Sequence, residues 1–102
     1  MKDYSELARD FLPVFDLILS KSYDEAREEL KRLSTKHAEA GRETVEYAHQ
    51  VGEILKASEG GESLRDIIQR MKSPGLPLSY LKAITDFEIY CYDWLKESRI
   101  IR

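Results

Sequence analysis

The chain of 102 residues, with 42% hydrophobic and 34% charged residues, has the size and composition of one ordinary globular domain spanning residues 1–102. The formal net charge of -3 and the pI of about 5.4 disfavour a protein whose main role is to neutralise nucleic-acid phosphates. No apolar run reaches the ~18 residues of a membrane span, and the acidic start is unlike a signal peptide. These features predict a cytoplasmic protein without a membrane segment.

The first helix is predicted from about Tyr4 to Ser20. The segment Asp3–Glu6 has the form of a capping box, in which an acceptor side chain and an acid three residues later satisfy the free amides of a helix start. Pro13 lies about 180° around the helix from the apolar stripe that follows, so the carbonyl that loses its hydrogen bond faces water. We expect a kink at Pro13 and no break.

A second capping box at Ser22–Glu25 begins an apolar stripe that keeps one phase as far as Ser58. Because a turn at Gly41 would have no reason to preserve that phase, one long helix is favoured over two. The alternative is that Gly41 ends a helix and Thr44 caps the next one. A continuous helix of about 36 residues would be roughly 54 Å long, more than a domain of this size covers, and would need a partner or a second copy.

The clearest break in the chain is Glu59–Glu62, which contains two glycines. Ser63 with Asp66 then predicts the cap of a short helix, which the proline-rich segment Ser73–Pro77 ends. The apolar stripe of this short helix consists of Leu64, Ile67, Ile68 and Met71.

The last helix is predicted from Leu78 to about Ile101. Its apolar arc of roughly 180° is wider than the apolar stripe of about 100° typical of a surface helix. We therefore expect it to be the central helix. The residues that mark its wet side are Lys82, Asp86, Asp93, Lys96 and Glu97. The predicted fold is an all-α bundle of four helices, or five if Gly41 is a turn.

Two residue sets are candidates for chemistry: Cys91 as a reactive thiol, and Glu46 with His49 and Glu53 as a metal site. Cys91 lies in the apolar arc without a neighbouring cation on its own helix, which predicts a small buried hydrophobe and not a reactive thiol. Glu46 and His49 have the E-x-x-H spacing of helical di-iron sites, and Glu53 follows. Since all three face away from the apolar stripe, we expect an ion-paired, solvated surface there, with no metal and no cofactor.

His37 and Glu88 are polar residues within the apolar stripes of two different helices. A buried unpaired carboxylate is costly, so the sequence predicts that His37, or an Arg or Tyr hydroxyl, satisfies Glu88. The alternative is that rotation of the helix leaves Glu88 at the wet edge. Because no nucleophile or Gly-rich loop accompanies the pair, we expect no catalytic residue and no enzyme activity.

The segment from Leu64 to Phe87 invites comparison with a helix-turn-helix, in which Arg65, Arg70 and Lys72 would contact phosphates. The supposed reading helix, however, also carries Asp86 and Glu88, which phosphates repel. Nucleic-acid binding or a regulatory role is therefore the alternative function, not the first.

Three large residues of the last helix, Ile89, Tyr90 and Tyr92, are expected to be partly exposed together, unless Ile100 and Ile101 fold back over them. They are the predicted partner-binding residues. The function predicted from the sequence is a non-enzymatic protein–protein interaction module that self-associates as a homodimer or binds another protein.

Overall fold

Five α-helices form the part of the chain that the structure, a computed structural model, describes: Tyr4 and residues 6–100, with side chains as far as Glu97. In chain order they are α1 (Glu6–Leu19), α2 (Tyr23–Lys36), α3 (Arg42–Glu59), α4 (Leu64–Met71) and α5 (Leu78–Ile100). No strand occurs within these residues, so the predicted all-α bundle is confirmed. Asp3, the N-cap residue of the first predicted capping box, lies outside the described residues, as do Ser5 and Ile101.

Helix α1 continues through Pro13 without a break, and Pro13 is exposed as predicted. The helix ends at Leu19, and Lys21, two residues later, is the one non-glycine residue with a positive φ among those described (61°). Around it, the amide of Ser22 donates to the carbonyl of Leu17 (2.8 Å) and that of Lys21 to the carbonyl of Ile18 (3.0 Å). These two bonds form a Schellman motif, which turns the chain sharply into α2.

The prediction of one long helix through Gly41 is wrong, and the five-helix alternative is correct. Helix α2 ends at Lys36 and α3 begins at Arg42. Gly41 between them has φ 121° and ψ 165°, a conformation essentially restricted to glycine. The stripe keeps its phase because α2 and α3 pack against each other and against α1, so both helices face the same core. The predicted helix of about 36 residues is therefore absent from the described part of the chain, and no partner is needed to cover it.

The two predicted internal N-caps differ in outcome. Ser63 accepts a hydrogen bond from the amide of Asp66 (3.2 Å), so the cap of α4 is confirmed. Ser22 is the N-cap residue of α2, but its side chain makes no cap hydrogen bond, and that capping box is wrong. Its ψ of 66° is outside the extended conformation typical of an N-cap.

The core draws side chains from all five helices, and the largest fully buried ones include Tyr47, Phe11, Phe15 and Phe87. Helix α5 packs against α1, α3 and α4, while α3 packs against all four other helices. On α5, Phe87 and Cys91 are buried and Trp94 is half-buried, as the apolar arc predicts.

The predicted wet side of α5 is wrong at two positions. Asp86 and Asp93 are only 4% and 8% exposed. Each accepts a hydrogen bond from a tyrosine hydroxyl, Asp86 from Tyr47 (2.8 Å) and Asp93 from Tyr4 (2.7 Å). A carboxylate with such a donor can be buried, whereas a hydropathy pattern treats every aspartate as a surface residue.

Among the described residues, no helix combines the length and the apolar character that crossing a bilayer requires.

Candidate protein-docking site

Helices α4 and α5 lie side by side and leave a groove of about 470 Å³ between them. Its walls mix apolar and charged side chains. They are Leu64, Arg65, Ile68, Gln69, Glu88, Cys91, Tyr92 and Leu95. We call this surface the α4–α5 groove.

The α4 wall is the half of the four-residue apolar stripe that remains unburied although α4 packs against both α3 and α5. Ile67 and Met71 are buried in the core, at 0% and 6% exposure. Leu64 and Ile68, which lie on the adjoining face, are only half-buried. They therefore form an apolar wall that opens to solvent.

The α5 wall carries the most exposed large side chains near this groove. Tyr92 is 70% exposed and Leu95 is 46% exposed, while Cys91 beneath them is 4% exposed. Large apolar side chains that cluster on a surface mark interaction sites more often than isolated ones do. The side of α5 that meets α4 is therefore only partly covered.

Cys91 contributes a buried wall and not a reactive group. Burial and, as a smaller cause, the nearby Glu88 carboxylate together raise the pKa of its thiol to about 12. At neutral pH the sulfur is a protonated thiol, which is a poor nucleophile. The interpretation of Cys91 as a small hydrophobe agrees with this environment.

Glu88 pairs with Lys72, which follows the last turn of α4. The predicted His37–Glu88 pair is wrong, because His37 ends α2 and α2 does not pack against α5 within the described residues. The Nε2 atom of His37 lies instead 3.0 Å from Oδ2 of Asp10, without the direction of a hydrogen bond. Glu88 is half-buried at the edge of the helix, as the alternative expected.

The three predicted partner-binding residues have different surroundings. Tyr92 lines the α4–α5 groove. Tyr90 donates to Oδ1 of Asp16 (3.0 Å) and packs its ring near Phe15, so it faces α1. Burial raises the pKa of its hydroxyl, and the bond to Asp16 adds to that rise. Ile89 is half-buried. Helix α5 continues to Ile100 without a turn, and Ile101 lies outside the described residues.

The basic residues of the alternative function are largely engaged with acids. Arg70 donates to both carboxylate oxygens of Glu62, at 2.9 Å each. Lys72 is paired with Glu88. Arg65 has no ion-pair partner within the described part of the chain, and it is the basic residue that lines the groove.

Glu46 and His49, the two residues with the E-x-x-H spacing, contact different side chains. Glu46 lies 3.4 Å from Arg42, and the His49 ring packs edge-on against Tyr80 with centroids 5.9 Å apart. The described side chains contain no cluster of three or more potential metal ligands. His49 and Glu53, with His37, line a second groove of about 410 Å³ between α2 and α3.

Sequence reasoning did not single out Leu64, Ile68 and Leu95 as surface residues, because their spacing is that of core positions. The sequence did contain a signal for an open surface, namely the difference in length between the predicted short helix and the predicted last helix. A helix as short as α4 cannot cover an apolar arc of roughly 180° along a helix of 23 residues.

Comparison of the chain with protein-family models, with curated proteins and with solved structures finds no match.

Proposed function

We propose that this chain is a non-enzymatic protein-interaction module and that the α4–α5 groove is its docking surface. The observation that carries the proposal is the joint exposure of Tyr92 (70%) and Leu95 (46%) above the half-buried Leu64 and Ile68. Tyrosine is one of the residue types that dominate binding energy at protein interfaces, and Tyr92 lines this groove.

The occupant that fits this surface is an amphipathic helix. Side chains of two adjacent helices form ridges and grooves, and the apolar face of a third helix packs into them. The exposed wall on α5 extends from Glu88 to Leu95, about two turns, and so offers room for the anchors of a short helical segment.

Self-association was predicted partly because one long helix would have required a second copy. Since α2 and α3 are separate helices, that reason no longer applies. A homodimer remains a prediction, and it is distinguished from a different partner by measuring mass. The cytoplasm is the proposed location, supported by the single cysteine, which is buried and unpaired.

The test is affinity capture from the native host with the wild-type chain and the double variant Tyr92→Ser/Leu95→Ser. The matched control is Val45→Ser/Leu78→Ser, which changes two exposed apolar residues (50% and 83%) outside the groove. We expect the groove variant, and not the control, to lose a defined set of captured proteins. All variants should unfold within about 1 kcal/mol of wild type, as surface substitutions do.

Light scattering of the same variants measures self-association. A mass that rises with concentration in the wild type and in the control, but not in the groove variant, would identify a second copy as the occupant. Equal capture by the groove variant and the control, with no change in mass, would contradict the proposed function.

A further inference from the structure

We infer that the α4–α5 groove takes an amphipathic helix with acidic flanking residues, supplied by a protein other than this chain. The inference rests on the proposed function and adds the chemistry of the partner. It starts from the charges around the groove.

Two cations with no ion-pair partner within the described residues are associated with the groove. Arg65 lines it on α4, and Lys96 is exposed one turn beyond Tyr92 on α5. The acid in the wall, Glu88, is already neutralised by Lys72. The rim is therefore locally positive, although the chain as a whole has a formal charge of -3.

Charge complementarity selects the sign of the partner. A helix that lays apolar side chains against Leu64, Ile68 and Leu95 brings its flanking positions close to the rim. Acidic residues there would pair with Arg65 and Lys96, while basic residues would be repelled. Such rim charges contribute more to partner choice and association rate than to total affinity.

The same charges disfavour a second copy of this chain. In a two-fold dimer the same surface meets itself, so Arg65 and Lys96 of one copy would face a rim of the same sign. Like charges brought together across an interface cost binding free energy. An acidic helix from a different protein has no such penalty.

A phosphate-rich partner is less suited to the groove. Tight nucleic-acid binders neutralise about six to ten phosphates, and lipid-binding segments use about four to eight basic residues. Here two cations border a concave apolar surface, which is the arrangement expected for side chains of a docked helix.

The experiment uses two labelled peptides of about 18 residues, long enough to form helix. Both carry leucines at spacings of three and four, and they differ only in having Glu or Lys at the flanking positions. Binding to the full chain is measured by fluorescence anisotropy. We expect the Glu peptide to bind about tenfold more tightly at low salt, and the difference to shrink at high salt.

The double variant Arg65→Glu/Lys96→Glu should reverse the preference between the two peptides. Its control, Lys31→Glu/Lys56→Glu, makes the same change of net charge at exposed positions of α2 and α3 and should keep the wild-type preference. A preference that the control also loses would reflect net charge and would overturn the inference.

The remaining outcomes separate the inference from the proposed function. Equal binding of both peptides, weakened in each case by Tyr92→Ser, would support docking but overturn the acidic partner. Failure of both peptides to bind would overturn both proposals. Self-association abolished by Tyr92→Ser, or binding to phosphatidylglycerol-containing vesicles abolished by Arg65→Glu/Lys96→Glu, would overturn the acidic protein partner.

Discussion

At the scale of single residues, three tyrosine hydroxyls within the described part of the chain donate hydrogen bonds to aspartates distant in sequence. Tyr47 bonds Asp86 between α3 and α5, and Tyr90 bonds Asp16 between α5 and α1. Tyr4 bonds Asp93 on α5. Asp86 and Asp93 are buried whereas Asp16 is exposed. Because a buried carboxylate is stable only where its donor lies, the bonds to Asp86 and Asp93 restrict how α5 packs.

Replacing Tyr47 by Phe should destabilise the protein by about 1–3 kcal/mol, since the substitution removes a donor from a carboxylate that is 4% exposed. Urea unfolding at neutral pH measures the change. Tyr92→Phe is the matched control, because that side chain is 70% exposed, and it should change stability by less than about 0.5 kcal/mol. Equal effects of the two substitutions would show that the Tyr47–Asp86 bond contributes no stability.

At the scale of elements, the length of each helix determines which surfaces remain open. The chain leaves helical geometry between Lys36 and Arg42, and α2 and α3 pack as a pair on α1. Helix α4 has eight residues and covers only part of α5, which has 23. The α4–α5 groove is the consequence of that difference in length.

Gly41→Ala should destabilise the protein by about 1–3 kcal/mol. Space is not the reason, because no atom lies within 4 Å of an added Cβ; the cost comes from φ 121°, which a side chain disfavours. Gly52→Ala, inside α3, is the opposite case. Its Cβ would meet Leu30 at 3.4 Å, an ordinary contact, and the gain in helix propensity is up to about 1 kcal/mol.

Chemical denaturation of both alanine variants measures this contrast. If Gly41→Ala instead stabilised the protein, the chain would tolerate a helical conformation at this position. That result would contradict the argument that the turn between α2 and α3 requires glycine.

At the scale of the whole molecule, burial of ionisable groups predicts sensitivity to alkali. Burial, together with Asp86, raises the pKa of the Tyr47 hydroxyl, and burial raises that of the Cys91 thiol to about 12. In the unfolded chain these groups lose their protons near pH 10 and pH 9. Above these pH values the folded protein therefore keeps the Tyr47 and Cys91 protons, whereas the unfolded chain has released them.

The contribution of these two groups to the free energy of unfolding should be constant below about pH 8 and fall as the pH rises above 9 to 10. Each of the two groups contributes up to about 1.4 kcal/mol per pH unit. Tyr47→Phe should reduce the fall above about pH 10, while Cys91→Ala should reduce its earlier onset. Urea unfolding as a function of pH measures these slopes, and identical slopes in wild type and Tyr47→Phe would contradict the argument.

How far the sequence could predict the site differs from residue to residue. Tyr92 could be predicted as a partner-binding residue because it is a large aromatic residue at the edge of the apolar arc of the last helix. Tyr90 could not be assigned to α1 in advance, because its partner Asp16 is 74 positions away in the chain. Likewise, Leu64 and Ile68 have core spacing, and only the packing of α4 leaves them half-buried.

Local sequence was sufficient to predict the helical class, the break at Gly60 and Gly61, the cap at Ser63 and the start of α5 after Pro77, because these depend on neighbours within a few residues. Tertiary structure alone decided that Asp86 and Asp93 are buried, that Glu88 pairs with Lys72 and not with His37, and that Tyr92 remains open. Those outcomes depend on which helix lies opposite, and helical spacing specifies a face of a helix without specifying what covers it.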